Sequence, residues 1–272
     1  MRTEMKRILL VAAVVSCAAT AAARDLVILH TNDTHSHIDP LRTGPEAGMG
    51  GVVERAAYID SVRTAVGRKN MLLLDAGDFS QGSSYFSLLK GDVEVELMNA
   101  MRYDAACLGN HEFDNGFDEL ARRCRMAKYD IVCANYDFSG TPLEKCVKPY
   151  TVIRRAGRKI GIIGLLTDVS RVVDGDIAEH LKYIDPAAVT NGYAAVLKEK
   201  GCDLVIVLSH LGYREDLDLA KSICNVDAII GGHSHTFIEA SETLADAKGN
   251  PVTVVQDGCW GLYVGNMTIG EK

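Results

Sequence analysis

The sequence is short of aromatic rings: one tryptophan, 6 phenylalanines and 10 tyrosines make up 6% of its 272 residues. That scarcity leaves no loop in which rings gather to stack a planar ligand. Basic charge is short as well. Lysine and arginine number 29 against 36 aspartates and glutamates, a net charge of −7. This excludes nucleic acid held by charge, because phosphate backbones are bound by clustered lysine and arginine, so no duplex is expected as a partner. An anionic small molecule needs local positive charge instead, and bound metal is one way to supply it.

No Cys-x-x-Cys pair occurs. The cysteines beyond the first segment (Cys107, Cys124, Cys133, Cys146, Cys202, Cys224, Cys259) are odd in number and irregularly spaced, which disfavours both a zinc cluster and a complete disulfide framework. One disulfide stays open, with no pair selected. No internal repeat, low-complexity tract or linker divides the chain, so one large α/β domain is the default. The apolar run Ile8 to Val15 is too short to span a bilayer. Behind the basic start Met1 to Arg7 and ahead of Ala21-Ala22-Ala23, it reads as a signal peptide over residues 1–23, leaving residues 24–272 as the domain. Val14-Val15-Ser16-Cys17 also resembles a lipobox, which gives membrane attachment only if Cys17 is lipidated. No polar linker follows it, so ordinary cleavage is favoured, with an exported, periplasmic or cell-surface location.

What is there is a series of apolar, β-branched strands, each ending in a polar loop. Asp25 to His30 leads to Asp33 and His35, Met71 to Leu74 leads to Asp78, and Ala105 to Leu108 leads to Asn110 and His111. Asp203 to Leu208 leads to His210, and Val226 to Ile230 leads to Gly231-Gly232-His233-Ser234-His235. Strands are also expected at 129–134, 252–256 and 262–269, with a hairpin formed by 150–154 and 159–165. Helices are expected at 52–66, 92–101, 115–126, 186–200 and 215–224, and irregular connections at 140–149 and 170–185. Singly, each loop reads as a capping aspartate or a surface histidine. Repetition at strand ends points to a site, because open α/β sheets place sites beyond the carboxyl ends of their strands. His233 and His235, spaced i, i+2 from a glycine turn, can reach two neighbouring metals, and Asn110 offers a carbonyl oxygen. His111, with Asp114 three residues on, reads as an imidazole held by a carboxylate.

Thr31-Asn32-Asp33-Thr34-His35, Gly77-Asp78-Phe79-Ser80-Gln81-Gly82-Ser83, Asn110-His111-Glu112-Phe113-Asp114, the strand-borne His210 and the Gly231–His235 loop together resemble the motif set of calcineurin-like metallophosphoesterases. Within that family they resemble the 5′-nucleotidase branch, over Leu26 to about Ile269. The resemblance implies a four-layer α/β/β/α sandwich. It implies that Asp33, His35, Asp78 and His235 hold one metal while Asp78, Asn110, His210 and His233 hold the other, with Asp78 bridging. The donors are oxygen and imidazole without thiolate, which suits two divalent ions among Zn, Mn, Fe and Co. Two dications against two ligand carboxylates leave the surplus positive charge that a phosphate needs.

The implied reaction is hydrolysis of phosphate esters, nucleotides foremost, by in-line attack of a metal-bound hydroxide. Asn110 and His111 would contact the substrate. His111, oriented by Asp114, would act as the catalytic dyad, stabilising the transferring phosphoryl group or assisting the leaving oxygen. Members of that branch carry a further C-terminal domain that stacks the base. A separate polypeptide is expected to supply it here, or the chain is a broad-specificity phosphatase or phosphodiesterase, or the sequence is a truncated product. The reading from another class is a metal-binding subunit, active only with a separate substrate-binding domain.

Overall fold

In the central strands, alternate side chains enter different cores. The computed structural model describes residues 25–171, 179 and 181–270; the expected signal peptide and Cys17 lie outside them. In β1 (Leu26–Thr31), Val27 and Leu29 join one apolar cluster while Leu26 and Ile28 join another. β2 (Met71–Asp75) divides in the same way, Met71 and Leu73 on one side and Leu72 and Leu74 on the other. A strand whose two faces are both apolar has to be covered on both, which explains the continuous hydrophobic runs.

β1 and β2 lie in a six-stranded sheet with β3 (Ala105–Cys107), β4 (Asp130–Val132), β6 (Val147–Lys148) and β14 (Gly265–Ile269), ordered β14-β1-β2-β3-β4-β6. A second six-stranded sheet contains β7 (Tyr150–Arg155), β8 (Arg158–Leu166), β10 (Leu204–His210), β11 (Ala228–Gly231), β12 (Glu242–Ala245) and β13 (Pro251–Val255). Its order is β12-β13-β11-β10-β8-β7. β5 (Tyr136–Asp137) and β9 (Lys182–Tyr183) form a separate antiparallel pair.

Three cores give the layers. On the outer face of the first sheet lie Ile59 of α1 (Val52–Val66), Val95 and Met98 of α3 (Asp92–Met101) and Leu120 of α4 (Gly116–Met126), while the short α2 (Ser84–Leu89) precedes α3. On the outer face of the second sheet lie Leu197 of α5 (Pro186–Glu199) and Leu219 of α6 (Tyr213–Ser222). Between the sheets, Leu26, Ile28, Leu72 and Leu74 meet Ile160, Ile162, Ile206 and Leu208. The result is the α/β/β/α sandwich, in which each fully buried aliphatic side chain contributes roughly 1.5–3 kcal/mol. The sheets are in tight contact at Gly164 of β8, where a Cβ would lie 2.1 Å from the Val132 carbonyl oxygen.

Differences from the expected elements have local causes. The last strand begins at Gly265 rather than Leu262, because Leu262 N–H is used in a turn to the Cys259 carbonyl (3.3 Å) after Gly261 at φ 64°. The sixth helix runs from Tyr213 to Ser222, two residues earlier than expected, starting directly after Gly212 at φ 116°. The stretch 140–149, expected to be irregular, contains β6, which pairs with β4 and has too few residues to show a period. α5 starts as its sequence suggests: Asp185 accepts the Ala188 N–H at 2.8 Å, and Pro186 occupies the first turn.

Candidate metal centre

Parallel pairing brings the polar loops together. Thr31 of β1 is in register with Asp75 of β2, and Ser209 of β10 with Gly231 of β11. The loops that follow are then tied across. Asp33 N–H donates to the Gly77 carbonyl at 2.9 Å, His35 N–H to the Asp78 carbonyl at 3.0 Å, and His233 N–H to Asp33 Oδ2 at 2.9 Å.

Two groups that could each hold a metal ion result. Asp33, His35 and His235 form one, and Asp78, His210 and His233 the other; within each, one donor atom per residue lies within 4.8 Å of the rest. His35 Nε2 and His235 Nε2 face each other at 2.9 Å, with Asp33 Oδ1 at 3.8 and 3.4 Å from them. Asp78 Oδ2 lies 3.0 Å from His210 Nε2 and 3.9 Å from His35 Nε2, so one carboxylate faces both groups. Asn110 is buried, with its Oδ1 unpartnered, and lines the same cavity of about 460 Å³ as His35, Asp78, His111, His233 and His235.

The donor set fits a cation on three counts. His210 Nδ1 lies 2.7 Å from the Ala76 carbonyl, which only accepts; the neutral ring therefore carries its proton there and leaves Nε2 with a free lone pair inside the site. Two imidazole nitrogens at 2.9 Å repel unless a proton or a cation lies between them. Electrostatics agree. Burial opposes charge on His210, yet the Asp78 carboxylate beside it raises its pKa to about 10, and the hydrogen bond with Asp33 raises His235 to about 10. Burial lowers His35 and His233. Carboxylates that pull protons onto their neighbours in this way have created a site for positive charge.

Backbone strain is concentrated here. Asp33, His35, Asp78, His233 and His235 all have φ between 45° and 73°. Non-glycine residues held there cost on the order of 1–3 kcal/mol each and persist only where the surroundings over-determine them. Glu112 is one such determinant. Fully buried, it accepts Asp78 N–H (2.9 Å) and Gly109 N–H (2.7 Å) on Oε2, and Ser80 N–H (3.1 Å) and Oγ–H (2.8 Å) on Oε1. Buried Arg123 donates to the Glu112 carbonyl at 2.6 Å and to Ser80 Oγ at 3.1 Å. Gln256 secures the opposite loop: its Oε1 accepts from Ser234 Oγ (2.9 Å) and Thr236 N–H (2.6 Å), and its Nε2 donates to the Gly232 carbonyl at 3.0 Å. Neither Glu112 nor Gln256 carries a local signal of this role, although Glu112 stands within Asn110-His111-Glu112-Phe113-Asp114 and Gln256 directly follows β13.

His111 sits beside the two groups, its ring centroid 5.4 Å from that of His35. Its Nδ1 is 2.9 Å from Asp114 Oδ2, and this hydrogen bond raises the imidazole pKa. Its own N–H donates to Asp78 Oδ1 at 2.9 Å. The cavity wall also carries one pair of stacked rings. The sole tryptophan, Trp260, stacks on His37 with centroids 5.4 Å apart, and both line the cavity of the ligand groups. Their 223-residue separation hides this pairing from any local pattern.

Two sheets packed face to face between helices, with carboxylates and imidazoles gathered beyond their parallel strands, define an α/β sandwich of the metal-site class. The chain belongs to the calcineurin-like phosphoesterase family, whose description matches residues 26–237. It is 34% identical to the snake venom 5′-nucleotidase of Crotalus adamanteus, over 96% of this chain and 48% of that protein. It is 32% identical to the 5′-nucleotidase of Homo sapiens, over 92% and 47%. Among solved structures, the 5′-nucleotidase precursor from Thermus thermophilus superposes with a TM-score of 0.84 at 37% identity, covering 91% of this chain and 52% of that one. The chain spans about half the length of these relatives.

Proposed function

We propose that the chain is a metal-dependent hydrolase of phosphate monoesters, nucleoside 5′-monophosphates foremost, using two divalent cations. The observation that carries this is Asp78 Oδ2 facing both ligand groups, 3.0 Å from His210 and 3.9 Å from His35. Asp33, His35, Asp78 and His235 would hold one ion, and Asp78, Asn110, His210 and His233 the other. Zn, Mn, Fe and Co all suit these donors. When bound, such a pair supplies positive charge for phosphoryl oxygens and acidifies water for hydrolytic attack.

The chain's own residues do the rest. Asp114 holds His111 through Nδ1, leaving Nε2 to meet the substrate. The hydrogen bond from Asp114 raises the imidazole pKa, and a ring protonated on Nε2 would donate to a phosphoryl oxygen or to the leaving oxygen as charge develops. Asn110 adds a side-chain amide to the lining of the same cavity. The relatives named for 5′-nucleotidase activity support nucleotides as the substrate class. The leader-like start, and a relative named from venom, support export.

The test is phosphate release by purified protein with added Mn²⁺ or Zn²⁺, from adenosine monophosphate and from an aryl phosphate. Turnover abolished by chelation is expected. No turnover above a metal-only blank, with two ions tightly bound, favours the non-catalytic subunit instead.

A further inference from the structure

Seven cysteines lie within the described residues, all as free thiols, and the fold brings two of them into contact. Cys124 stands on the buried face of α4 with Leu120, Ala121 and Arg123. Cys146 comes 22 positions later, in the turn that leads into β6. Cys146 N–H and Val147 N–H make that turn, both donating to the Leu143 carbonyl at 3.0 Å. Cys146 packs against the apolar cluster that contains Cys124 and Leu143, and there the two thiols are hydrogen-bonded to each other. Bridging requires sulfurs that already meet. Cys107 and Cys133 do not: one ends β3 and the other follows the neighbouring β4, yet they enter different cores. Cys259 is committed elsewhere, its thiol hydrogen-bonded with His235.

The two touching thiols are unequal. Cys124 is buried and Cys146 half-buried, and the Cys146 S–H faces the Leu143 and Pro142 carbonyls at 3.5 and 3.7 Å. The hydrogen bond from Cys124 brings the Cys146 thiol down to about 7 against the opposing effect of burial, with Arg125 adding to the lowering. The same contact, together with burial, pushes Cys124 well up. A reachable sulfur that is partly thiolate near neutral pH attacks disulfides best, and a shielded thiol touching it is placed to resolve the product.

We propose that Cys124 and Cys146 form a disulfide when the chain meets a disulfide-bearing oxidant, stapling the turn before β6 to α4. The Cys146 thiolate attacks one sulfur of the oxidant, breaking its S–S bond, expelling one thiolate and leaving a mixed disulfide on Cys146. Cys124 then gives up its proton and displaces the second thiolate from Cys146 Sγ. Two electrons pass to the oxidant, which takes up two protons and leaves as two thiols. The new bond replaces a thiol contact and disturbs no metal ligand.

The staple fastens a weakly held segment. β6 has two residues and pairs with β4 alone, at the end of its sheet. Closing the intervening loop removes freedom from the unfolded chain and so favours the folded one. On the other side of the bond, Arg123 next to Cys124 holds the Glu112 carbonyl and Ser80 Oγ, so the staple secures the helix on which that network rests.

The test uses the reduced full chain, incubated with excess oxidised glutathione, quenched in acid, alkylated in denaturant and digested for mass spectrometry. A peptide pair joined through Cys124 and Cys146, two hydrogens lighter than its halves, is expected, with Cys107 and Cys133 alkylated. Glutathione retained on Cys146, a bond between other cysteines, or alkylation of both thiols overturns the proposal. Oxidation should also raise the urea midpoint of unfolding. Dithiothreitol should reverse the rise, and Cys146→Ser, a change at a half-buried position, should abolish it. Equal midpoints for oxidised and reduced wild-type protein contradict the staple even where the bond has formed.

Discussion

Replacing Glu112 by glutamine keeps the side chain's size while removing one oxygen acceptor and the carboxylate's charge. In the wild-type protein two carboxylate oxygens take four hydrogen bonds, from Asp78 N–H and Gly109 N–H on one side and from Ser80 N–H and Oγ–H on the other. A glutamine keeps one acceptor and turns an NH₂ toward the other pair. If that NH₂ faces Ser80, the hydroxyl rotates to accept and one N–H is orphaned; if it faces Asp78 and Gly109, two are. A buried unsatisfied donor costs roughly 1–3 kcal/mol, so Glu112→Gln should lose about 2–4 kcal/mol. Glu112→Ala orphans three backbone donors and should lose about 6 kcal/mol, a large part of the roughly 5–15 kcal/mol that holds a domain together. Equilibrium unfolding in urea of metal-free protein reads the loss. Metal affinity should fall as well, because Asp78 loses the contact that helps hold it at φ 53°. A Glu112→Gln variant within about 0.5 kcal/mol of wild type, with unchanged metal affinity, would refute Glu112 as the organiser of both loops.

Other residues predict separable effects. His111→Ala should retain two metals per chain by elemental analysis yet lose about 10²–10⁴-fold in kcat, whereas Asp78→Asn should lose metal from both groups. Loss of metal in the first variant, or of only one ion in the second, reverses the assignment. Gly164→Ala places a methyl 2.1 Å from the Val132 carbonyl oxygen; the sheets must part, and stability should drop by about 3 kcal/mol or more in chemical denaturation. Asp75 is pushed up to about 7 from 3.8, chiefly by burial, with Thr31 and Gly77 donating to its carboxylate in opposition. Its folded pKa exceeds its unfolded one, so the folded state binds the extra proton. Stability from this group is full below about pH 4 and declines as pH rises to 7, by on the order of 4 kcal/mol. Asp75→Asn should flatten that decline in pH-dependent unfolding, and an unchanged slope assigns it to other groups.

The candidate ligands were legible because each follows a strand whose apolar run announces its own end. Asp33, His35, Asp78, Asn110, His210, His233 and His235 stand out at those junctions without knowledge of how the sheets pack, and the fold brings all seven to one place. The two faces of β1 and β2 were legible only as continuous hydrophobicity; which residue serves which core emerges from the second sheet, contributed by residues more than 70 positions away. β5, β6 and β9, two residues each, are too short to carry a period. Glu112 was hidden for a different reason: its partners are mostly backbone N–H groups, which leave no trace in side-chain patterns. Gln256 and Asn32 are hidden likewise, each pairing its amide with one backbone N–H and one backbone carbonyl. Cysteine spacing selected no pair, and in the structure the Cys124 and Cys146 thiols are hydrogen-bonded while the seven described cysteines are free.

The central claim, two cations shared across Asp78 and serving phosphoester hydrolysis, is tested most directly by titrating Zn²⁺ or Mn²⁺ into chelator-treated protein. Bound metal and phosphate release from adenosine monophosphate are followed together. Binding should saturate at two equivalents per chain, with turnover appearing as the second is taken up. Full turnover at one equivalent, or without metal, contradicts the account.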